Sequence, residues 1–170
     1  MTWFQSVAVG IALVAVYWDL RTRRIPNVLT FGAALAAFLV HGAVGGWSAA
    51  GLAVLGWVVG AAMFMPIFAL GGMGAGDVKL MAALGAWVGP AAVVWVALFT
   101  GIAGGAIALV VAAGSGYLRQ AFTNIWGLLM YWRIAGPRPA PELTLSTHRG
   151  PRLAYAVSIL AGLMVTLWLR

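Results

Sequence analysis

Apolar residues run in long blocks along this chain, and the charged residues are confined to the gaps between them. Six blocks stand out, at about 3–18, 28–45, 48–70, 78–88, 91–113 and 152–169. Most reach or approach the roughly 20 residues that carry a helix across a hydrocarbon core, so the pattern predicts membrane-spanning helices. The fourth is short: as helix it rises only about 16 Å, half a bilayer core, before Gly89-Pro90 turns the chain. Tilt, extension into the preceding loop, or partial burial would each accommodate it.

Between the first two blocks, Ile25-Pro26-Asn27 reads as a stop and restart, with Pro in the first turn of the second helix. The one substantial polar connection lies at about 115–151. Its first part, "YLRQAFTNIWGLLMYWR", sets Arg119, Gln120, Thr123, Asn124 and Gly127 at helical spacing against Leu118, Phe122, Ile125, Trp126 and Leu129, the pattern of an interfacial helix. The following "GPRPAPELTLSTHRGPR" suits irregular structure. No internal repeat is present, and residues 1–170 read as a single membrane-embedded domain.

Composition agrees. Of 170 residues 64% are hydrophobic and 8% charged, more apolar side chain than a water-soluble domain hides, which gives an all-α polytopic membrane protein. The 23 glycines suit close helix packing in lipid. A net charge of +7 raises nucleic acid as a partner, but the basic residues sit in the gaps between apolar blocks, where they set topology. Arg21, Arg23 and Arg24 follow the first block, Lys79 the third, and Arg119, Arg133, Arg138, Arg149 and Arg152 the fifth. Nine of the ten cations thereby share one face, the cytoplasmic one, and both termini are expected on the outer side. No Lys or Arg precedes the first block, so it reads as a retained span rather than a signal peptide. The expected location is the cytoplasmic (inner) membrane.

Candidate chemistry begins with exclusions. The absence of cysteine removes disulfides, thiolate nucleophiles and cysteine-ligated zinc. His41 and His148 have no partner histidine at ligand spacing, so neither a metal nor a cofactor is expected. Three acidic residues remain. Glu142 sits in the Pro-rich loop and reads as a solvated residue, whereas Asp19 and Asp77 each abut a span on the same face. A carboxylate at membrane depth costs about 2.5–3.5 kcal/mol at a helix centre, less near the interface, so both invite a functional reading.

Taken singly, each has a structural role available: Asp77 in "GMGAGDVKL" as a helix N-cap, Asp19 in "YWDLRTRRIPN" as an ion pair with Arg23 or Arg24. Taken together, two aspartates close in a partly desolvated site split their pKa values, so that one stays protonated while the other is a base. Such a pair can hydrolyse a peptide bond with no nucleophilic side chain or metal. Gly74 and Gly76 would let a peptide backbone approach Asp77 closely. Lys79 reads as a topology anchor or as a charge favouring ionised Asp77, and Asn27 as a residue that could orient Asp19. Arginines 21, 23 and 24 set orientation or touch lipid headgroups or substrate, and the nine tryptophans read mostly as interfacial anchors. Two other classes fit the same residues: a small transporter component using Asp19 and Asp77 for protons or cations, and a noncatalytic membrane assembly factor.

"DLRTRRIPN" after the first block and "GAGD", a G-x-G-D motif at Gly74 to Asp77, together resemble the type IV prepilin peptidases. The likeness continues through "GDVKLMAALGAWVG" and "RLAYAVSILAGL" and covers most of the chain. G-x-G-D alone is shared with presenilin-like proteases; joined to D-x5-I-P-N it is quite specific. The resemblance implies an intramembrane-type aspartic endopeptidase, with Asp19 and Asp77 as the catalytic pair, that removes the cytoplasmic leader from prepilins beside their hydrophobic helix. Larger members add a cysteine-bearing zinc segment and methylate the new pilin N-terminus. This cysteine-free chain looks like the short subfamily associated with tight-adherence (Flp-type) pili, so the resemblance implies a Flp-type prepilin substrate, no zinc and no methyltransferase activity. The short preflagellin peptidases are a related alternative.

Overall fold

A computed structural model describes residues 2–138 and 154–169. The described residues form six helices and no strands: α1 (Trp3–Thr22), α2 (Asn27–Ala69), α3 (Ala75–Val88), α4 (Pro90–Gly114), α5 (Leu118–Ala135) and α6 (Tyr155–Leu169). The irregular loop expected after α5, with Glu142 and His148, lies almost wholly outside the described residues.

As a straight rod, the 43 residues of α2 would extend roughly 65 Å, about twice a hydrocarbon core. The rod is broken at Gly46, whose φ of 71° and ψ of −166° leave the helical region. A side chain at Gly45 would run into Ala49, and one at Gly42 would lie 3.6 Å from the Cβ of Ala50, eight positions on. Residues so far apart along a helix meet only if the chain doubles back. The element is therefore a helical hairpin with arms 27–45 and 47–69, matching the second and third predicted blocks.

α3 resolves the short fourth block. It starts at Ala75, three residues earlier than predicted, and nine of its fourteen residues are buried, from Val78 through Trp87. A helix enclosed by protein on nearly every side does not have to match the bilayer by its own length. Against the second arm of α2 the approach is backbone to backbone: a Cβ on Gly56 would strike the carbonyl of Gly85, one on Gly85 the carbonyl of Gly56, and one on Gly60 would lie 2.5 Å from the carbonyl oxygen of Met81. Small residues allow such approach, and dispersion over the close surfaces favours it in lipid. The first arm is tied to α3 by Trp87, whose indole Nε1 donates to the Ala33 carbonyl at 2.9 Å.

α4 begins with Pro90 at its first position, after Gly89 turns the chain at φ 85°. It packs against α6, where a side chain at Gly162 would collide with Thr100 and Val96. α1 runs along α6 and α3 with Ala8, Ala12, Ala15 and Asp19 as its buried stripe. This helix reaches Thr22, four residues past the predicted end, so Asp19 belongs to the helix rather than to the loop behind it. Its end is set by Arg23, in the left-handed region at φ 54°, whose N–H donates to the Asp19 carbonyl.

Three helices, α1, α2 and α4, are long and apolar enough to cross a membrane. Their outward faces carry large exposed side chains, among them Leu39, Trp47, Leu52, Ile102 and Val110, a greater apolar surface than water tolerates and the kind a lipid-facing wall presents. α5 buries none of its residues. Its apolar face of Phe122, Ile125, Trp126 and Leu129 is exposed, and Gln120 and Asn124 hydrogen-bond each other on the polar side. The amphipathic helix foreseen from "YLRQAFTNIWGLLMYWR" is thus present, with its apolar face uncovered by protein.

Since the Gly56–Gly85 crossing has no room for a methyl group, Gly85→Ala should lower stability by about 2–4 kcal/mol. Gly101→Ala, with nothing within 4 Å of the added carbon, should cause no loss. Unfolding in mixed micelles measures both.

Candidate active site

Asp19 ends the small-residue stripe of α1 at helical spacing, and that spacing turns a carboxylate inward where Ala8, Ala12 and Ala15 face the bundle. It is 9% exposed. Its Oδ2 accepts a hydrogen bond from the main-chain N–H of Ala156 at 3.2 Å. Ala156 is in the first turn of α6, where N–H groups have no partner inside the helix and the helix dipole presents its positive end. α1 thus supplies the cap that α6 lacks, across 137 positions of sequence.

Asp77 occupies the first turn of α3, just ahead of the apolar stretch 78–88 and outside the three spanning helices. Its Oδ2 accepts the N–H of Gly74, the N-cap residue, at 3.2 Å. This satisfies one donor at the helix start and pins the carboxylate against the G-x-G turn. Gly76 is required by packing: a Cβ there would lie 3.3 Å from the Cβ of Ile25 and 3.6 Å from its backbone nitrogen. Ile25 is buried in the short link that follows α1. The link after Asp19 therefore rests on the turn before Asp77.

Electrostatics connects the two carboxylates. Burial, foremost, and the nearby charge of Asp19, second, raise the pKa of Asp77 from an ordinary 3.8 to about 6, with the Gly74 N–H pulling the other way. The structure thus brings together the two aspartates that the sequence singled out 58 positions apart. Lys79 points elsewhere: its Nζ donates to the Asn27 carboxamide oxygen at 2.9 Å and lies 5.3 Å from the centroid of the Phe31 ring. Both residues stand at the aspartate end of the bundle, and their mutual bond fastens α3 to the start of α2. Asn27's carboxamide oxygen thus meets Lys79, and Gly74 and Gly76 pack against Asp77 and Ile25. Arg21 covers the Tyr17 ring at 5.1 Å.

Tyr155, the first residue of α6, was not among the candidates from sequence. The charge of Asp77 reaches its phenol, and its ring packs edge-on against Phe64, with centroids 6.1 Å apart. Its position at the start of the last apolar block, on the face shared by both aspartates, was the signal available. His41 lies at the opposite end of the bundle, stacked on Phe4 at 4.4 Å. Among the described residues no three His, Cys, Asp or Glu side chains come together as a metal site would need.

The arrangement is a buried carboxylate held by the start of α6 and a half-buried one held by the turn before α3, close enough for the charge of Asp19 to act on Asp77. Such a pair can hold one proton between two acids near neutral pH. A family model described as the type IV leader peptidase family matches residues 6–109, a stretch that includes both aspartates, Asn27, Gly74, Gly76 and Lys79. No curated protein and no solved structure matches the chain.

The raised pKa of Asp77 fixes a sign for stability. The native state holds this proton to a higher pH than the unfolded chain does, so the group's favourable contribution is full below about pH 4 and is lost as pH rises through about 6. Asp77→Asn, which keeps an acceptor for Gly74, should match the wild type near pH 4 and exceed it by about 1–3 kcal/mol at pH 8. Reversible unfolding followed across that range measures the difference.

Proposed function

The chain belongs to the type IV leader peptidase family, and from that premise we propose that it is an aspartic endopeptidase that cuts prepilins between their polar leader and their hydrophobic helix. The observation that carries the reading is the pairing of buried Asp19 with half-buried Asp77 in one place. Asp19, its Oδ2 oriented by the Ala156 N–H at the start of α6, takes a proton from a water. The resulting hydroxide attacks the scissile carbonyl carbon, and protonated Asp77 donates its proton to the carbonyl oxygen. Collapse of the tetrahedral intermediate breaks the C–N bond as the departing amine takes the proton from Asp19, and the second hydroxyl proton returns to Asp77. The cycle ends with both acids as they began.

Location follows from the charges. Arg21, Arg23, Arg24 and Lys79 mark the aspartate end as cytoplasmic under the positive-inside rule, so a multi-pass protein of the inner membrane would keep this site at its cytoplasmic interface. That is where the substrate's two chemistries meet, a polar leader in water and an apolar helix in lipid. A Flp-type prepilin suits the short, cysteine-free chain, with preflagellin a related substrate. The transporter reading needs its carboxylates near the middle of the bilayer on a path through it, and the positions of Asp19 near the end of α1 and of Asp77 at the start of α3 favour hydrolysis instead.

Cleavage of a Flp-type prepilin in proteoliposomes, followed by the mass of the released leader, tests the proposal. Asp19→Asn and Asp77→Asn should each lose at least about 100-fold in rate, the scale of a lost acid or base. Wild-type cleavage by either variant would refute the dyad, and proton flux through the wild type that both variants abolish would favour the transporter.

A further inference from the structure

We propose that Tyr155 is a third catalytic residue, its phenol O–H donating a hydrogen bond to the scissile carbonyl oxygen as negative charge builds there. The inference rests on the aspartic peptidase reading above and adds a residue that lies beyond the matched stretch 6–109.

Position comes first. Tyr155 precedes Ala156, whose N–H holds Asp19, so the phenol and the tether of one aspartate arise from the same turn of α6. The other aspartate, Asp77, is near enough for its charge to act on the phenol. The phenol thus lies within electrostatic reach of Asp77 and arises from the turn that holds Asp19, although it is contributed by the opposite end of the chain.

The surroundings hold the ring and leave the hydroxyl open. Phe64, itself buried, meets it edge to face at 72°. On its other flank stands Gly104 of α4, where an added Cβ would lie 3.3 Å from both the hydroxyl oxygen and Cε2. A glycine there makes the room that the phenol occupies. No hydrogen bond is formed by the hydroxyl among the described residues, whereas a half-buried tyrosine ordinarily finds a partner for its polar end. A fixed ring with an unused donor within reach of Asp77 has the form of preorganised electrostatic stabilisation: it needs no rearrangement when the carbonyl oxygen acquires charge. The phenol keeps its proton throughout, so the proton accounting of the two aspartates is unchanged.

Tyr155→Phe keeps the ring and removes only the donor. In proteoliposomes with a Flp-type prepilin, kcat should fall by roughly 100- to 1,000-fold, the range for one lost oxyanion donor, with KM within about threefold of wild type. Normalising rates to the fraction of enzyme that captures an uncleavable prepilin separates lost chemistry from lost folding. The pH at which the rate is half-maximal should stay where it is in the wild type. Wild-type kcat in Tyr155→Phe would overturn the inference, as would a displaced pH profile with the plateau rate retained, because the phenol would then act through Asp77. If Asp77→Asn is inert while Tyr155→Phe is fully active, only this inference fails; if Asp77→Asn cleaves normally, the dyad itself fails.

Discussion

The hydrogen bond from the Ala156 N–H to the Asp19 carboxylate joins the first helix to the last, and the geometry of the site depends on it. At an ordinary helix start water or a local Ser, Thr, Asp or Asn would meet the orphan N–H groups. Here the first turn of α6 is buried at Ala156, and a side chain from α1 meets the need. One contact does two things. It satisfies a buried donor, whose loss would cost about 1–3 kcal/mol, and it fixes the direction of a carboxylate in a place where an unpartnered charge would be untenable. A structural cap and a reactive group are thus the same atoms.

The second constraint is the enclosure of α3. A helix of 14 residues rises about 21 Å, too little to face lipid from one side of a bilayer to the other. Wrapped by both arms of α2, by α1 and by α4, it has protein instead of lipid around it, and Gly56, Gly60 and Gly85 let the wrapping close. That brings Asp77 up from the short helix to the level where Asp19 leaves the longer one. The pressing of Ile25 against Gly76 then sets the lateral relation between the two chain segments.

Much of this was legible in the residues. Long apolar blocks gave the helices, including the separation of the second block from the third where Gly46 breaks α2, because hydrophobic length is a local signal. Asp19 and Asp77 stood out for a reason any apolar chain provides: a carboxylate there is costly. The inward direction of Asp19 was also written in the sequence, in the spacing of Ala8, Ala12, Ala15 and Asp19, though only a helix prolonged past the apolar run makes it readable. What could not be read were contacts between distant segments. Nothing near Asn27 announces Lys79, nothing near Asp19 announces Ala156, and Tyr155 acquires significance only when α6 is laid beside α1. Gly76 was legible as a place of close approach, yet the approaching group is Ile25 of the same chain, a partner that local pattern does not name.

The break at Gly46 has its counterpart at Gly89, and together these glycines make the end of the bundle remote from the aspartates almost loopless. Each reversal there takes one or two residues, while among the described residues the connections 23–26, 70–74 and 115–117 lie at the other end. An insertion in a connection on the aspartate side can be absorbed without repacking a helix, whereas one at Gly46 or Gly89 would force apart the two helical arms that each glycine joins.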